Sequence, residues 1–237
     1  MLVLAIETST PQASVTIGSE QGMIGSCTIS RGAAYGEFLL PAVEFLMHQS
    51  GLTYRQLSAV AIGLGPGLFT GMRVGVTTAK TLAQALSVPI IGVPSLDLLA
   101  FDARYTPKVI CPVLDAKRNE VFFAFYRQVP GGVTRLSDYQ VGPPERLASE
   151  FDAQGSDVLA IGNGALLYRS KLEESERAEI GTMTHAFPRS DALIDLALPR
   201  IVREDFDRLY DVEPLYMRRT QAEINWEARS LKSSRAP

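Results

Sequence analysis

The chain has 237 residues, of which 46% are hydrophobic and 21% charged, and its formal net charge is −3 at pH 7. This composition is typical of a soluble globular protein that is large enough for one large domain or two small ones. The negative net charge disfavours strong unaided binding to nucleic acid, which usually requires a basic face.

The hydropathy and the cysteine content of the sequence favour a cytoplasmic protein without membrane contacts. No apolar run approaches the ~20 residues that span a bilayer. The first ten residues, MLVLAIETST, lack the basic start of a secretory signal. Cys27 and Cys111 each lie in an apolar, strand-like run, which predicts two reduced thiols rather than a disulfide.

The first half of the chain predicts three strands followed by alternating helices and strands. A helix is indicated by Leu39, Val43, Leu46 and Met47, which fall on one face and are followed by Gly51. The predicted strands and the second helix, in chain order, are strands 2–7, 13–18, 23–29 and 58–64, helix 72–87 and strand 89–93.

The second half repeats this order, which predicts an α/β protein made of two duplicated lobes, each a mixed sheet flanked by helices. The predicted elements are strands 108–114, 120–127 and 133–141, helix 144–152 and strand 157–161. We place the lobes at 1–104 and 105–220. Residues 221–237 form a basic tail, for which a solvated terminus is favoured over a contact with nucleic acid.

A glycine-rich turn joins the strand at 58–64 to the second helix. It comprises Gly65, Pro66, Gly67, Phe69 and Thr70. Glycine permits positive φ and close approach of another backbone, so the turn is suited to phosphate or to a partner chain. The Lys-Ser/Thr pair of a P-loop and the spacing of a dinucleotide fingerprint are both missing.

Small residues recur every four positions along the second helix, at Gly71, Gly75, Ala79 and Ala83. This spacing places them on one ridge of the helix, where a neighbouring element can lie very close. The ridge is compatible with a helix of another chain or with the protein's own sheet, and the pattern does not decide between them.

The sequence resembles the bacterial TsaB (YeaZ) family over nearly its whole length. The motifs that carry the resemblance are Leu4–Ser9, the glycine run Gly63–Gly75, Leu114–Val121 and the late Pro214–Arg219 (PLYMRR). The resemblance implies an ASKHA fold, that of actin-like ATPases, with two ribonuclease-H-like lobes. It also implies a part in forming threonylcarbamoyladenosine at position 37 of tRNAs that read codons beginning with A.

The resemblance further implies partners. In the family, TsaB is the dimer partner of the transferase TsaD, the ATPase TsaE joins them, and tRNA is reached only through the complex. The first two helices make the contact with TsaD, which assigns the interface to Leu39, Val43, Leu46 and Met47 and to the ridge, with Arg73 able to reach an acid on the partner. Without TsaD we expect the same surface to form a weak homodimer.

Catalysis by the chain itself is disfavoured by its residues. The catalytic relative holds a metal through two histidines on its first long helix, where this chain has Tyr35–Leu39 without histidine, and His48 and His185 lie far apart. Glu7, Thr8 and Asp115 occupy positions of a nucleotide cleft, and Gly162 and Gly164 match an adenosine loop. We interpret these as a vestigial site and expect no cofactor on the chain alone, since ATP and magnesium could bind only in the assembled complex.

Three functions therefore remain open at this point. The chain is a non-catalytic partner of a tRNA-modifying transferase, an ASKHA-fold ATPase or kinase with its own nucleotide site, or a peptidase. No Ser-His-Asp order, Cys-His pair or H-E-x-x-H motif supports the peptidase. The first interpretation is favoured.

Overall fold

The structure is a computed structural model that describes residues 1–30 and 35–218. The predicted basic tail at 221–237 lies outside the described residues. Within the described ranges, no helix has the length and apolar character needed to cross a membrane.

The first sheet has five strands in the order β3-β2-β1-β4-β5. The β1–β2 and β2–β3 pairs are antiparallel, whereas β1–β4 and β4–β5 are parallel, so the predicted meander with crossovers is confirmed. Its strands and the two helices on one face are β1 (Leu2–Glu7), β2 (Ala13–Ser19), β3 (Gly22–Ile29), α1 (Tyr35–Gln49), β4 (Leu57–Gly63), α2 (Phe69–Leu86) and β5 (Ile90–Val93).

Strand β1 is buried along its whole length because both faces of the sheet are covered. Leu4 and Ile6 point into the core beneath α1 and α2. Val3 and Ala5 point the other way, into a second core. This alternation explains why a central strand appears in the sequence as a continuous apolar run.

The second sheet follows the order β10-β7-β6-β11-β12, and β8 pairs with both β6 and β9. The predicted strand at 120–127 is divided, because β7 ends at Phe123 and β8 begins at Tyr126; both pair with β6, but β7 also pairs with β10 and β8 with β9. The remaining elements before the last helix are α3 (Ser95–Asp102), β6 (Val109–Lys117), β7 (Glu120–Phe123), β8 (Tyr126–Val129), β9 (Gly132–Arg135), β10 (Gln140–Gly142), α4 (Pro144–Ala153), β11 (Val158–Ile161), α5 (Asn163–Leu167), α6 (Arg169–Leu172) and β12 (Ala178–Ile180).

The last helix, α7 (Ser190–Val202), returns to the first lobe. It supplies Leu193, Ile194 and Ala197 to the core on the open face of the first sheet. The chain that follows stays there, since the Gly92 amide donates to Asp207 at 2.7 Å. The apolar face of α7 thus covers the side of the first sheet that α1 and α2 leave open, although the chain segment that forms it lies within the predicted second lobe, 105–220.

Candidate functional site: a cavity between the two lobes

The glycine-rich turn packs against the chain's own β1–β2 connection. The Leu68 amide donates to the Ser9 carbonyl at 2.6 Å. A Cβ at Gly67 would overlap that carbonyl, and a Cβ at Gly71 would overlap the Thr8 carbonyl. The predicted close approach of another backbone is present, but that backbone belongs to the same chain. Pro66 is buried in this contact, whereas Thr70 is exposed on the first turn of α2.

Glu7 holds this turn in place from inside the molecule. Its carboxylate accepts from the Ser9 amide at 2.6 Å and from the Ser95 hydroxyl at 2.7 Å. The Ser95 oxygen in turn accepts from the Gly65 amide at 3.0 Å. Burial raises the pKa of Glu7 above its ordinary value, and these hydrogen bonds oppose that rise. Glu7, which was predicted for a nucleotide cleft, is fully buried and is not among the residues that line the cavity between the lobes.

The small-residue ridge lies against the protein's own sheet. A Cβ at Gly75 would overlap the Thr8 hydroxyl, which itself donates to the Gly71 carbonyl at 2.8 Å. Ala79 and Ala83 belong to the core beneath the two helices. The ridge is therefore not a docking surface for a foreign helix, because α2 uses it to approach β1 and β4.

The apolar residues of α1 that were predicted for the interface are also buried. Leu39, Val43, Leu46 and Met47 all lie in the same core as the ridge. The opposite side of the helix is open, and there Leu40 is 56% and Phe45 55% exposed. The sequence pattern identified the amphipathic helix correctly, but the apolar stripe marks the side that faces the protein interior.

A cavity of about 600 Å³ lies where α2 begins, opposite the turn between β6 and β7. Such a volume is within the range of small-molecule sites. Of the residues predicted for a site, Gly67, Phe69, Arg73 and Asp115 line it. The complete lining is Gly67–Phe69, Met72, Arg73, Asp115–Arg118, Phe122 and Leu215–Arg218.

One wall is a stack of Phe69, Arg73 and Tyr216. The two aromatic rings lie 5.3 Å apart, and the Arg73 guanidinium carbon is 3.8 Å from the centre of the Phe69 ring. The Arg73 Nε donates to the Tyr216 hydroxyl at 2.8 Å. Arg73 thus contacts its own chain through Tyr216, a residue of the PLYMRR motif that the site prediction did not include.

The opposite wall is the turn after β6. Asp115 accepts from the Lys117 amide at 2.8 Å and pairs with the Lys117 ammonium at 2.6 Å. Residues 117–119 all have positive φ, between 56° and 61°. Three successive non-glycine residues in this conformation are uncommon and orient the side chains of Lys117 and Arg118 at the cavity.

The residues after Leu215 join the two walls. The Leu215 amide donates to the Leu64 carbonyl of the first lobe at 2.8 Å. Arg218 donates to the Ala116 carbonyl of the second lobe at 3.0 Å and forms an ion pair with Glu120. The cavity is therefore closed at its base by chain that touches both lobes.

Gly162 and Gly164 do not line this cavity. Gly162 has φ of 109°, and a Cβ there would overlap the Val113 carbonyl. Gly164 lies against the backbone at Leu114 and Asp115. The two glycines let α5 approach β6, so the structure does not bring the predicted cleft residues together: Asp115 lines the cavity, while Glu7, Thr8 and both glycines are part of the packing.

The described residues contain no group of three or more His, Cys, Asp or Glu side chains that could hold a metal ion. His48 is exposed near the end of α1. His185 lies in the second lobe, where its carbonyl accepts from the Gly162 amide at 2.9 Å.

Two lobes with mixed sheets flanked by helices, facing each other across a cavity, define an ASKHA-like protein. The activator of 2-hydroxyisocaproyl-CoA dehydratase from Clostridium difficile shares the fold, with a TM-score of 0.52 at 10% identity. The sequence model of the TsaD family, tRNA N6-adenosine threonylcarbamoyltransferase, matches residues 32–226. The chain belongs to the TsaD-related TsaB/YeaZ family.

Individual relatives match nearly end to end. The tRNA threonylcarbamoyladenosine biosynthesis protein TsaB of Bacillus subtilis is 28% identical, over 95% of this chain and 98% of that protein. TsaB of Escherichia coli is 25% identical, over 94% and 96%. The solved structure of YeaZ from Pseudomonas aeruginosa has a TM-score of 0.80 at 28% identity, over 91% of this chain and 99% of that chain. The chain is thus a homologue of these biosynthesis proteins, and the resemblance noted in the sequence is confirmed.

Proposed function

We propose that this chain is a non-catalytic subunit that binds TsaD in the formation of threonylcarbamoyladenosine at position 37 of tRNA. Homology to TsaB proteins supports the pathway. The observation that carries the partner role is the exposed apolar side of α1, formed by Leu40, Pro41 and Phe45. A large aromatic residue left in solvent beside other apolar groups is typical of an interaction site.

This surface replaces the buried residues that sequence analysis assigned to the interface. Helices α1 and α2 lie side by side on the first sheet, and their outer sides form one layer. Two helices of four turns supply most of the ~800 Å² that each partner buries in a stable interface. The contact therefore involves the predicted helices, but through their opposite side.

The absence of a catalytic role is supported by Glu7. An acid that orients a nucleotide-bound metal has to reach the cleft between the lobes. Here the corresponding carboxylate is buried and is used by Ser9 and Ser95. The rival ATPase interpretation therefore lacks the acid of the first lobe, and isothermal titration of the lone chain with ATP and magnesium should give no binding heat.

The interface is tested by Phe45→Asp against a matched control, Leu167→Asp. Leu167 is 60% exposed on the second lobe. We expect Phe45→Asp to weaken binding to the TsaD of the same organism about 30-fold or more, the effect of removing one strong interface residue. Leu167→Asp should bind like the wild type. Equal affinity of both variants would contradict the assignment.

The same surface accounts for the proposed homodimer of the lone chain. In sedimentation velocity, Phe45→Asp should shift a weak dimer to monomer, because an apolar patch that pairs with itself loses its central contact. The role in the pathway is tested by reconstituting tRNA modification with TsaD and TsaE. Full activity without this chain would exclude the proposed function.

A further inference from the structure

Helix α3 is buried between the two lobes and has an apolar contact with each. On one side, Leu98 and Phe101 belong to the core that α7 covers in the first lobe. On the other side, Leu96, Leu99 and Ala100 belong to a core of the second lobe. Apolar contacts are not directional, so they leave one lobe able to slide or turn on the helix unless polar groups fix its orientation.

The first turn of α3 carries two polar side chains, and each of them binds a different lobe. Ser95 donates to the Glu7 carboxylate of the first lobe at 2.7 Å. Asp97 accepts from two hydroxyls of the second lobe, those of Tyr126 at 2.5 Å and of Tyr139 at 2.8 Å. Because the two links begin only two residues apart on one helical turn, they connect the lobes through a rigid element.

Both tyrosines are suited to act as permanent donors to Asp97. Tyr126 is 1% exposed, and burial raises the pKa of Tyr126 and of Tyr139, so that both hydroxyls keep the proton that they donate. Hydrogen bonds to a carboxylate are stronger and more directional than those between neutral groups. The Arg135 guanidinium carbon lies 4.0 Å from the centre of the Tyr139 ring, and this cation–π contact orients the ring.

We infer that Asp97, Tyr126 and Tyr139 form an interlobe lock, which fixes the second lobe in one orientation on α3 and thereby sets the width of the cavity. Phe69 and Asp115 belong to walls of the cavity that come from different lobes. Rotation of the second lobe about α3 therefore changes the distance between these two residues. The interlobe lock concerns the chain alone and does not depend on the proposed binding to TsaD.

The test is a distance measurement by pulsed electron paramagnetic resonance between two spin labels in the full-length chain. Gln21→Cys in the first lobe and Ser170→Cys in the second place the labels at exposed positions. Cys27→Ala removes the partly exposed native thiol, whereas Cys111 is fully buried. Labelled chain is diluted with unlabelled chain, so that only distances within one molecule are measured. We expect one narrow distance distribution for this labelled reference protein.

Two variants of the interlobe lock separate orientation from stability. Tyr126→Phe with Tyr139→Phe keeps both rings and removes both donors, which should lower the ratio of locked to displaced molecules at least about tenfold and broaden or split the distance distribution. Adding Asp97→Leu removes the carboxylate that is left without these donors. Resistance to urea should then return towards that of the reference protein, while the distribution stays broad. Tyr139→Phe alone, at a half-buried ring, is the milder variant if the double change prevents folding.

Tyr35→Phe is the matched control, because the buried Tyr35 hydroxyl donates at 2.8 Å to the Thr10 carbonyl within the first lobe. It should lower resistance to urea and leave the distance unchanged. Three results would overturn the inference: a broad distribution in the reference protein, a narrow one in every variant of the interlobe lock, or equal broadening in Tyr35→Phe. The second would show that apolar packing and chain connections orient the lobes, and the third that any lost hydrogen bond loosens the molecule.

Discussion

The first strand of each lobe leads to an acidic residue with little exposed side chain, and the two acids differ in their partners. Glu7 lies under the glycine-rich turn and Ser95, away from solvent and without a cationic partner among its described contacts. Asp115 borders the cavity and pairs with an exposed lysine. Equivalent positions in duplicated lobes therefore have different roles: one stabilises the packing of its lobe, and the other shapes an open surface.

The largest expected effect comes from filling the closed corner of the first lobe. Gly75→Leu places a branched side chain where the Thr8 hydroxyl and Ile62 already lie. We expect a loss of about 3 kcal/mol or more in the free energy of unfolding, because α2 has to move off the sheet. Urea denaturation followed by circular dichroism measures it.

Thr77→Leu is the control for this substitution. Thr77 lies on the exposed side of the same helix, where surface changes usually stay within about 0.5 kcal/mol. If Gly75→Leu kept wild-type stability and lost only TsaD binding, the ridge would be the interface after all.

A smaller effect is expected on the pH dependence of the free energy of unfolding, to which Glu7 contributes. The pKa of Glu7 is raised by burial above its ordinary value of 4.5. Between that value and the raised one, the folded state binds more protons than the unfolded state. The free energy of unfolding therefore falls as pH rises from 4.5 through the raised pKa, by at most about 1.4 kcal/mol per pH unit.

Glu7→Gln should remove this slope, which urea titrations at several pH values above 4.5 would reveal. Asp115→Asn is the companion variant. This substitution should lower the free energy of unfolding by at most about 1 kcal/mol, because Lys117, the partner of Asp115, is exposed and ion pairs with exposed groups are weak. A wild type and a Glu7→Gln variant with parallel pH profiles would show that Glu7 does not differ from an exposed acid.

The sequence predicts the parts of the fold that depend on neighbouring residues. Strand 2–7 follows from a continuous apolar run, the apolar stripe of α1 follows from periodicity, and the glycine run indicates a close backbone approach. Which part of the chain makes that approach depends on contacts between residues far apart in the sequence. Glu7 is buried because Ser95 covers it, and the ridge is buried because Thr8 lies beneath it. No local pattern reports these distant contacts.

The cavity could not be predicted from the sequence, because it is formed by residues that lie far apart along the chain. Asp115 could be proposed from its place after a strand, but its neighbours across the cavity are Phe69 and Arg73 of the first lobe. Tyr216, which contacts Arg73, lies 143 positions after it in the sequence. Helix α7 crosses back to the first sheet, which no repeat in the sequence indicates.

The smallest expected effect concerns the Arg73–Tyr216 hydrogen bond at the open side. Tyr216→Phe keeps the stacked ring and removes the hydroxyl that accepts from Arg73. A double-mutant cycle with Arg73→Met should give a coupling of about 0.5–1 kcal/mol in the free energy of unfolding. Tyr210→Phe, at an exposed ring nearby in sequence, serves as the control. Zero coupling would mean that water already satisfies both groups, and the wall of the cavity would then depend on ring contacts alone.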